Sequence, residues 1–277
     1  MPNILVADDD PSIRHLIRTL LRRDGHSITL AKDGASALAQ LQKKTFDLVL
    51  MDVHMPHLGG LDVLAKVREQ GKRPKVIIMT ADNTPETLLQ AVREQAYQYV
   101  PKPFHAKQLS ETVTDALASG GAGMPIEVVS ASPEWVELLV PCEHGVADRV
   151  QGFMSVLKAG LPDDLRQAVG SAFREMLLNA IEWGGQFDPT RKVRVSYLRA
   201  KRMLLYRIAD PGAGFSLDGL THAAVSNAPD DPIGHMQVRE EKGLRPGGFG
   251  ILLAKAKVDE VIYNEARNEV VLVKYLD

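Results

Sequence analysis

Two sets of polar residues in this chain have the side-chain types and the spacing that phosphate chemistry requires. In the first set, each member follows a short apolar run: Asp8, Asp9, Asp52, Thr80 and Lys102. Three carboxylates gathered in one place repel each other unless a cation neutralises them, and hard oxygen ligands favour Mg²⁺. A carboxylate beside Mg²⁺ and a lysine can accept a phosphoryl group, because both cations offset the charge that grows on the transferred group. We therefore expect this set to form a phosphoryl-acceptor site.

The second set combines a polar helix stripe with two glycine-rich segments. Side chains three or four positions apart share a helix face, and this spacing relates four polar residues: Ser171, Glu175, Asn179 and Glu182. Downstream lie the segments DPGAGF at 210–215 and RPGGFG at 245–250. Glycine lets the backbone turn sharply and approach a ligand, and a glycine-rich loop at a helix start offers N–H groups to phosphates. This order of segments predicts a pocket for ATP.

The first half of the chain has the pattern of a parallel sheet. Five short apolar runs alternate with amphipathic stretches, at 4–7, 27–30, 48–51, 76–79 and 97–100. Continuous hydrophobicity is typical of strands that are buried on both faces, and the repeated βα pattern predicts a doubly wound, five-stranded parallel α/β fold. Reactive groups in such folds lie past the carboxyl ends of the strands, which is where the first polar set falls.

Residues 1–118 resemble the receiver domain of bacterial response regulators, which has a flavodoxin-like fold. The segments ILVADDDPSIR, DLVLMDVHMPHLGGLDVL, VIIMTA and YVPKPF appear in order and at the family's spacing. The resemblance implies that Asp52 is the phosphoacceptor, and that Asp8, Asp9, Asp52 and the backbone carbonyl of His54 serve Mg²⁺. It also implies a histidine kinase as the upstream phosphodonor.

The same resemblance assigns roles around the phosphoryl group. Thr80 and Tyr99 would form the switch pair, and Lys102 would contact the phosphoryl group. The peptide bond between Lys102 and Pro103 is cis in the family, so we expect a cis bond here.

Composition and length indicate a two-domain globular protein. The chain has 277 residues, of which 45% are hydrophobic and 25% charged. The segment SGGAGMP at 119–125 predicts a flexible linker, so we expect domains at 1–118 and 126–277. A net charge of −2 gives no case for nucleic-acid binding, and the single cysteine, Cys142, excludes an intramolecular disulfide. Neither a membrane span nor a signal peptide is evident, so we expect a cytoplasmic protein without membrane association.

The second half has a mixed pattern that predicts a two-layer α/β sandwich. We expect strands over 126–140 with a break near 132–133, a helix over 143–158, and a longer helix over 163–183. A hairpin at 193–198 and 204–209, a helix at 251–258, and two closing strands around an Arg267–Asn268 turn would complete the domain.

Residues from about 125 to 277 resemble the GHKL (Bergerat-fold) ATP-binding domain, and most closely the anti-sigma-factor serine kinases. The resemblance is carried by EMLLNAIEWG and by PGGFGILLAKAKVDEVIYNEARNEVVLVKYL. It implies that Asn179 binds the Mg²⁺ that bridges the ATP phosphates, that Glu175 is the general base, and that Asp210 reads the adenine amino group. An amide oxygen suits Mg²⁺, and a carboxylate one turn away can take a proton from a hydroxyl.

The glycines and the lid complete the site that this resemblance implies. Four glycines would shape the pocket: Gly212, Gly214, Gly248 and Gly250. Residues 216–246 would form a lid, with Arg245 as a phosphate contact. The chain departs from the family at Trp183, where a histidine commonly stands.

The leading functional prediction is a response regulator whose phosphorylation at Asp52 controls a protein-serine/threonine kinase. By resemblance, the partners are an anti-sigma-factor antagonist, a sigma factor or both, and homodimers are common in both families. One alternative is an ATP-gated binding module without phosphotransfer. Another is a histidine-kinase-like autokinase, for which His144 is the nearby histidine, although no two-helix dimerisation unit fits between 119 and 142.

Overall fold

The computed structural model describes most of the chain in two compact units. The described residues are 1–71, 74–82, 84–119, 123–132, 134–158, 160–216, 223–224, 231, 233–241 and 248–276. The first unit comprises Met1–Pro125, and the second comprises most of the chain from Ile126 onward. None of the helices in these ranges is both long enough and apolar enough to cross a membrane.

The first unit is the predicted doubly wound fold. Its five strands are parallel and lie in the order β2-β1-β3-β4-β5. The elements in chain order are β1 Asn3–Ala7, α1 Pro11–Arg23, β2 Ser27–Ala31, α2 Gly34–Lys43, β3 Leu48–Asp52, α3 Gly60–Glu69, β4 Val76–Thr80, α4 Pro85–Arg93, β5 Gln98–Pro101 and α5 Ala106–Ala118.

Burial and capping explain these elements. Strands β3 and β4 are buried at every position, as their continuous hydrophobicity predicts. Helix α1 begins where the side chain of Asp10 accepts the N–H of Ser12 and Pro11 occupies the first turn. These caps start the helix directly after the end of β1, so that Asp8 and Asp9 are left at the carboxyl edge of the sheet.

The end of α5 is fixed to the start of β4. The buried ammonium group of Lys75 donates to the carbonyl oxygens of Ala116 (2.5 Å) and Ser119 (2.6 Å). A hydrogen bond of 2.6 Å also joins the hydroxyls of Tyr97 and Ser119. A cation at the carbonyl end of a helix is favourable, because it satisfies carbonyl groups that lack a partner within the helix. Ser119, the first residue of the predicted linker, is therefore anchored to the sheet.

The second unit pairs one sheet with helices. Its six strands are antiparallel and lie in the order β10-β11-β9-β8-β7-β6. The elements in chain order are β6 Glu127–Ser132, β7 Trp135–Pro141, α6 Val146–Leu157, α7 Asp163–Asn179, a π-helical turn Ala180–Gly184, β8 Lys192–Ala200, β9 Met203–Ala209, α8 Gly234–Glu241, α9 Gly250–Lys257, β10 Glu260–Tyr263 and β11 Glu269–Tyr275.

Helix α7 packs on the sheet as its apolar spacing predicts. Its buried side chains include Phe173, whose ring centroid lies 4.8 Å from that of Tyr206 on β9. The same helix contacts α9 and β11. This packing forms the two-layer sandwich and turns the polar stripe of α7 away from the core.

The structure differs from the sequence-based expectation at the end of this helix. The α-helical pattern stops at Asn179 and is followed by the π-helical turn, whereas the periodicity predicted an α-helix to 183. Gly184 packs so closely on Asp210 that an added Cβ would lie 2.2 Å from the Asp210 Cγ. π-Helical turns are rare, and they are frequently found at functional sites. Helix α8 falls inside the predicted lid and has no counterpart among the predicted elements.

Candidate functional site

Three carboxylates converge at the carboxyl edge of the first sheet. One oxygen from each of Asp8, Asp9 and Asp52 lies within 4.8 Å of the other two. Asp8 is fully buried and Asp52 is 6% exposed, whereas Asp9 is exposed. This is a compact group of hard oxygen donors, as the sequence predicted.

Lys102 joins this group from β5. The peptide bond between Lys102 and Pro103 is cis, and the Lys102 Nζ lies 2.7 Å from Oδ2 of Asp8 and 3.0 Å from Oδ2 of Asp52. Burial raises the pKa of the Asp52 carboxyl above its usual value, although the ammonium group of Lys102 opposes that effect. Burial also disfavours the charge on Lys102, but its bonds to Asp8 and Asp52 outweigh this and raise its pKa. Lys102 is therefore held charged between two buried carboxylates.

Thr80 and Tyr99 meet at Asp82 rather than at each other. The fully buried Thr80 accepts the backbone N–H of Asp82 at its Oγ1 (3.0 Å). The buried hydroxyl of Tyr99 donates to the carbonyl oxygen of Asp82 (2.8 Å). The Asp82 side chain in turn accepts the hydroxyl of Thr87 (2.8 Å) and lies 3.2 Å from Nε2 of His54. The bond from Thr87 is the main cause that lowers the pKa of Asp82.

A second site lies in the other unit, in a cavity of about 370 Å³. Its walls come from α7, the loop after β9, the start of α9 and the turn between β10 and β11. The lining includes every predicted nucleotide-site residue that the structure describes: Glu175, Asn179, Asp210, Gly212, Gly214, Gly248 and Gly250. Arg245 and most of the predicted lid lie outside the described residues.

Gly250 brings α9 against the polar stripe of α7. A Cβ at Gly250 would lie 3.2 Å from both the Asn179 Nδ2 and the Glu175 Oε2. The two side chains therefore converge on one point at the N-terminus of α9, where backbone N–H groups lack partners within the helix. Glu175 also lies 3.7 Å from Nη1 of Arg174, whose Nε donates to Asp148 (2.7 Å).

Asp210 lies in the same cavity. Its Oδ1 accepts the N–H of Gly212 (2.7 Å). Burial raises the pKa of this carboxyl, and the bond from Gly212 opposes the increase. Trp183 lines the cavity and remains 43% exposed, so the residue that departs from the family is part of this site.

Two known protein families match this chain, and each match covers one of the two sites described above. The family model of the response regulator receiver domain matches residues 4–114, and that of the histidine kinase-like ATPase domain matches residues 144–274. The chain is a receiver domain joined to a histidine kinase-like (GHKL) ATPase domain. The first of these domains is the receiver domain found in response regulators of two-component signalling.

Individual relatives match part of the chain. The transcriptional regulatory protein ZraR of Salmonella typhimurium is 36% identical over 146 residues, which are 50% of this chain and 33% of ZraR. The chain spans about a third or less of the length of the first curated relatives it matches. Among solved structures, the receiver domain of the Francisella response regulator 1452 is 32% identical, with a TM-score of 0.41 and coverage of 42% of this chain and 97% of that one. The response regulator TrrA of Thermotoga maritima in complex with Mg²⁺-BeF is 36% identical, with a TM-score of 0.39 and coverage of 42% and 100%.

In the receiver domain, Asp82 is a residue that the sequence reasoning missed. It follows the end of β4 by two residues, a position where functional side chains gather in doubly wound folds. That position is the feature of the sequence that could have identified Asp82. The role of Asp82 in joining Thr80 to Tyr99 depends on its backbone N–H and carbonyl group, which every residue type except proline has.

In the ATPase domain, the missed residues lie in the turn between β10 and β11 and at the first position of β11. Arg267, Asn268 and Glu269 line the cavity. Asn268 donates to the carbonyl oxygen of Gly212, which is 56 positions away in sequence. The sequence identified this segment only as a turn, because nothing in local spacing shows which loop a turn contacts.

His144 has a structural environment that explains it without catalysis. Its exposed ring stacks on Phe187, with centroids 4.0 Å apart and planes at 15°. The described residues between α5 and α6 form the strands β6 and β7 instead of the helix pair that carries the phosphoacceptor in a histidine-kinase-like autokinase.

Proposed function

We propose that phosphorylation of Asp52 in the receiver domain controls an ATP-dependent protein-serine/threonine kinase activity of the ATPase domain. The observation that carries this proposal is the convergence of Glu175 and Asn179 beside Gly250, in the same cavity as Asp210. A domain that only bound nucleotide would have no chemical need for a carboxylate at that point.

The receiver site fits Mg²⁺. Three carboxylates within 4.8 Å carry three negative charges, and the ammonium group of Lys102 offsets only one of them. Asp8, Asp9 and Asp52 would hold the ion, together with the carbonyl oxygen of His54. When bound, Mg²⁺ supplies positive charge that stabilises a phosphoryl group in transfer. Asp52 would provide the oxygen that attacks phosphorus while the bond from phosphorus to the phosphodonor breaks and the donor leaves with that electron pair, and Lys102 would contact the phosphoryl oxygens.

The cavity of the ATPase domain fits ATP with Mg²⁺. Asn179 has the amide oxygen that would hold the ion, and the N-terminus of α9 has N–H groups for the phosphates. When bound, ATP supplies the phosphoryl group. Glu175 would accept the proton of a serine or threonine hydroxyl, and the carboxylate of Asp210 would accept the N–H of adenine.

The partners follow from the same resemblance. A small anti-sigma-factor antagonist would supply the hydroxyl, and a sigma factor would be a second binding partner, with a homodimer as the working unit. ZraR is described as a transcriptional regulatory protein, but this chain covers only a third of it. We therefore place the output in partner phosphorylation rather than in DNA binding.

Phosphotransfer from labelled ATP with Mg²⁺ in host extract tests the proposal. The wild type should place acid-stable label on a small protein, and Glu175→Gln should abolish the transfer. Glu182→Gln is the matched control, because Glu182 belongs to the same polar stripe but does not line the described cavity. Asp52→Ala should remove the response to an acyl-phosphate donor, and an unchanged response would contradict control by the receiver domain.

Trp183 favours one alternative, an ATP-gated binding module without phosphotransfer. It lines the cavity where the family commonly has histidine, so the wall of the site differs from that of the serine kinases. In that case, ATP binding and partner capture would persist in Glu175→Gln without transfer of label in any variant. Acid-labile label on the chain itself would instead support an autokinase.

A further inference from the structure

The turn between β10 and β11 is attached to the loop after β9 by backbone hydrogen bonds. The N–H of Asp210 donates to the carbonyl oxygen of Asn268 (2.8 Å), and the N–H of Phe215 donates to that of Ala266 (3.2 Å). Gly214 has a φ of 86° and lies so close to the turn that a Cβ would be 1.6 Å from the Ala266 oxygen. Both ends of the loop 210–215 are therefore supported by the turn.

The side chain of Asn268 holds the middle of the loop. Its Nδ2 donates to the carbonyl oxygen of Gly212 (3.0 Å), and the N–H of Gly212 donates to Oδ1 of Asp210 (2.7 Å). Gly212 is thus fixed on both sides, and the Asp210 carboxylate is oriented through it. Within the described part of the chain, the Asp210 Oδ2 has no hydrogen-bond partner, so this oxygen remains for a ligand.

Asn264 determines which way the Asn268 amide faces. Its Nδ2 donates to Oδ1 of Asn268 (2.8 Å), and its own Oδ1 accepts the N–H of Glu269 (3.1 Å). Because the Asn268 oxygen is engaged by Asn264, its NH₂ group faces Gly212. Asn264 is not among the described residues that line the cavity, so it acts on the loop only through Asn268.

We propose that Asn268 is the positioning residue for the adenine-binding loop, and that Asn264 sets its orientation. The ligand class is a nucleotide whose base presents an N–H donor to the Asp210 carboxylate. The inference rests on the proposed nucleotide function of the cavity. It adds that the hairpin of β10 and β11, together with the loop 210–215, determines the affinity for the nucleotide and the selectivity for its base.

The test is calorimetric titration of the full chain with Mg²⁺-ADP and Mg²⁺-GDP. In Asn264→Asp, the new carboxylate keeps the bond from Glu269 but attracts the Asn268 NH₂ away from Gly212. The hydrogen bond from Asn268 to Gly212 is then lost, and the side-chain oxygen of Asn268 faces the carbonyl oxygen of Gly212 instead. This change should weaken ADP binding about tenfold. Asn268→Ala should weaken it by a similar factor, and the double variant should be no weaker than Asn268→Ala alone. Glu265→Gln, an exposed change in the same turn, should bind ADP as the wild type does.

The outcomes separate this inference from the proposed function. Wild-type affinity in Asn264→Asp, with weakened binding in Asn268→Ala, would show that Asn268 acts by direct contact and would overturn the positioning role. Wild-type affinity in both variants, with binding lost in Asp210→Asn, would overturn the inference and leave the nucleotide site intact. A wild type that binds neither nucleotide would overturn both. Unchanged melting temperatures without nucleotide would show that the variants are folded. If Asn268→Ala does not fold, the ADP affinity of Asn264→Asp alone tests the inference.

Discussion

The ammonium nitrogen of Lys102 lies 3.0 Å from Oδ2 of Asp52, the predicted phosphoacceptor. The same nitrogen lies 2.7 Å from the fully buried Asp8, so one cation is shared by two carboxylates. Because Lys102 follows β5 and the two acids follow β1 and end β3, this contact also holds three strand ends together.

Replacing Lys102 with methionine should reduce the free energy of unfolding by about 3 kcal/mol at pH 7 in EDTA, because two buried carboxylates lose their shared cation. Lys102 opposes the effect of burial on the Asp52 carboxyl, so without this cation the folded-state pKa of Asp52 rises further above its unfolded value. The destabilisation is therefore present above that pKa and shrinks as the pH falls. Urea denaturation at pH 7 and pH 5 measures it. Lys107→Met, on an exposed side chain, should have no comparable effect.

Lys158 gives the ATPase domain a separate pH dependence. This residue is only 1% exposed, and its ammonium nitrogen lies 5.9 Å from the centre of the Tyr206 ring. Burial lowers its pKa from 10.5 to about 8. In the unfolded chain this amine has the ordinary pKa of 10.5, whereas in the folded domain the value is about 8. The fold is therefore most stable above pH 10.5, where the amine is neutral in both states, and its free energy of unfolding decreases as the pH falls to about 8. The difference corresponds to about 3 kcal/mol.

Lys158→Met should therefore be more stable than the wild type at pH 7. Its free energy of unfolding should no longer rise between pH 8 and pH 10.5, and this rise is the wild-type slope. Denaturation between pH 7 and pH 10.5 measures both effects. Lys255→Met, on the C-terminal turn of α9, is the control and should keep the wild-type slope. A wild-type slope in Lys158→Met would contradict the assignment of the pH dependence to this amine.

Gly250→Ala should separate nucleotide binding from stability. Alanine is favoured over glycine in a helix by about 1 kcal/mol, so the melting temperature without ligand should not fall. The new methyl group would lie 3.2 Å from both Asn179 and Glu175, where we expect the phosphates to bind, so ATP affinity should drop about tenfold. Leu252→Ala, on the exposed face of the same helix, should retain wild-type affinity in calorimetry.

Thr80→Val should uncouple phosphorylation from output. The change removes the oxygen that accepts the Asp82 N–H, at a stability cost of about 1 kcal/mol, and leaves the Asp52 carboxylate in place. Labelling with an acyl-phosphate donor should still occur, whereas the resulting change in kinase activity should be lost. Thr112→Val, on α5 and away from this site, should retain both. A normal response in Thr80→Val would show that the signal does not pass through Asp82.

The sequence predicts a feature well when local pattern determines it. Strands β1, β3 and β4 were located to within one residue, because strands buried on both faces have continuous apolar runs. The carboxylates were placed together for the same reason, since parallel strands end at one edge of the sheet. In the ATPase domain, the stripe that contains Glu175 and Asn179 follows directly from helical periodicity.

Features that depend on distant contacts were not predictable. The π-helical turn is associated with the close packing of Gly184 on Asp210, which is a tertiary contact. The role of Asn268 depends on a hydrogen bond across 56 positions, and that of Asp82 on backbone groups. In each case, the residue type is ordinary for its local position, and only the folded arrangement gives it a role.

The attachment of α5 at Lys75 has a mechanical consequence. Lys75 directly precedes β4, and Thr80 is the last residue of that strand. Strand β4 therefore joins the sheet edge that carries Thr80 and the predicted phosphoacceptor Asp52 to the point where the C-terminal end of α5 is attached. A strand of five residues spans about 17 Å. Because all five residues are buried in a close-packed core, a displacement at one end of the strand is transmitted to the other. A displacement at Thr80 can therefore reach Ser119, where the described part of the receiver domain ends, through a single buried strand and the hydrogen bond from Lys75.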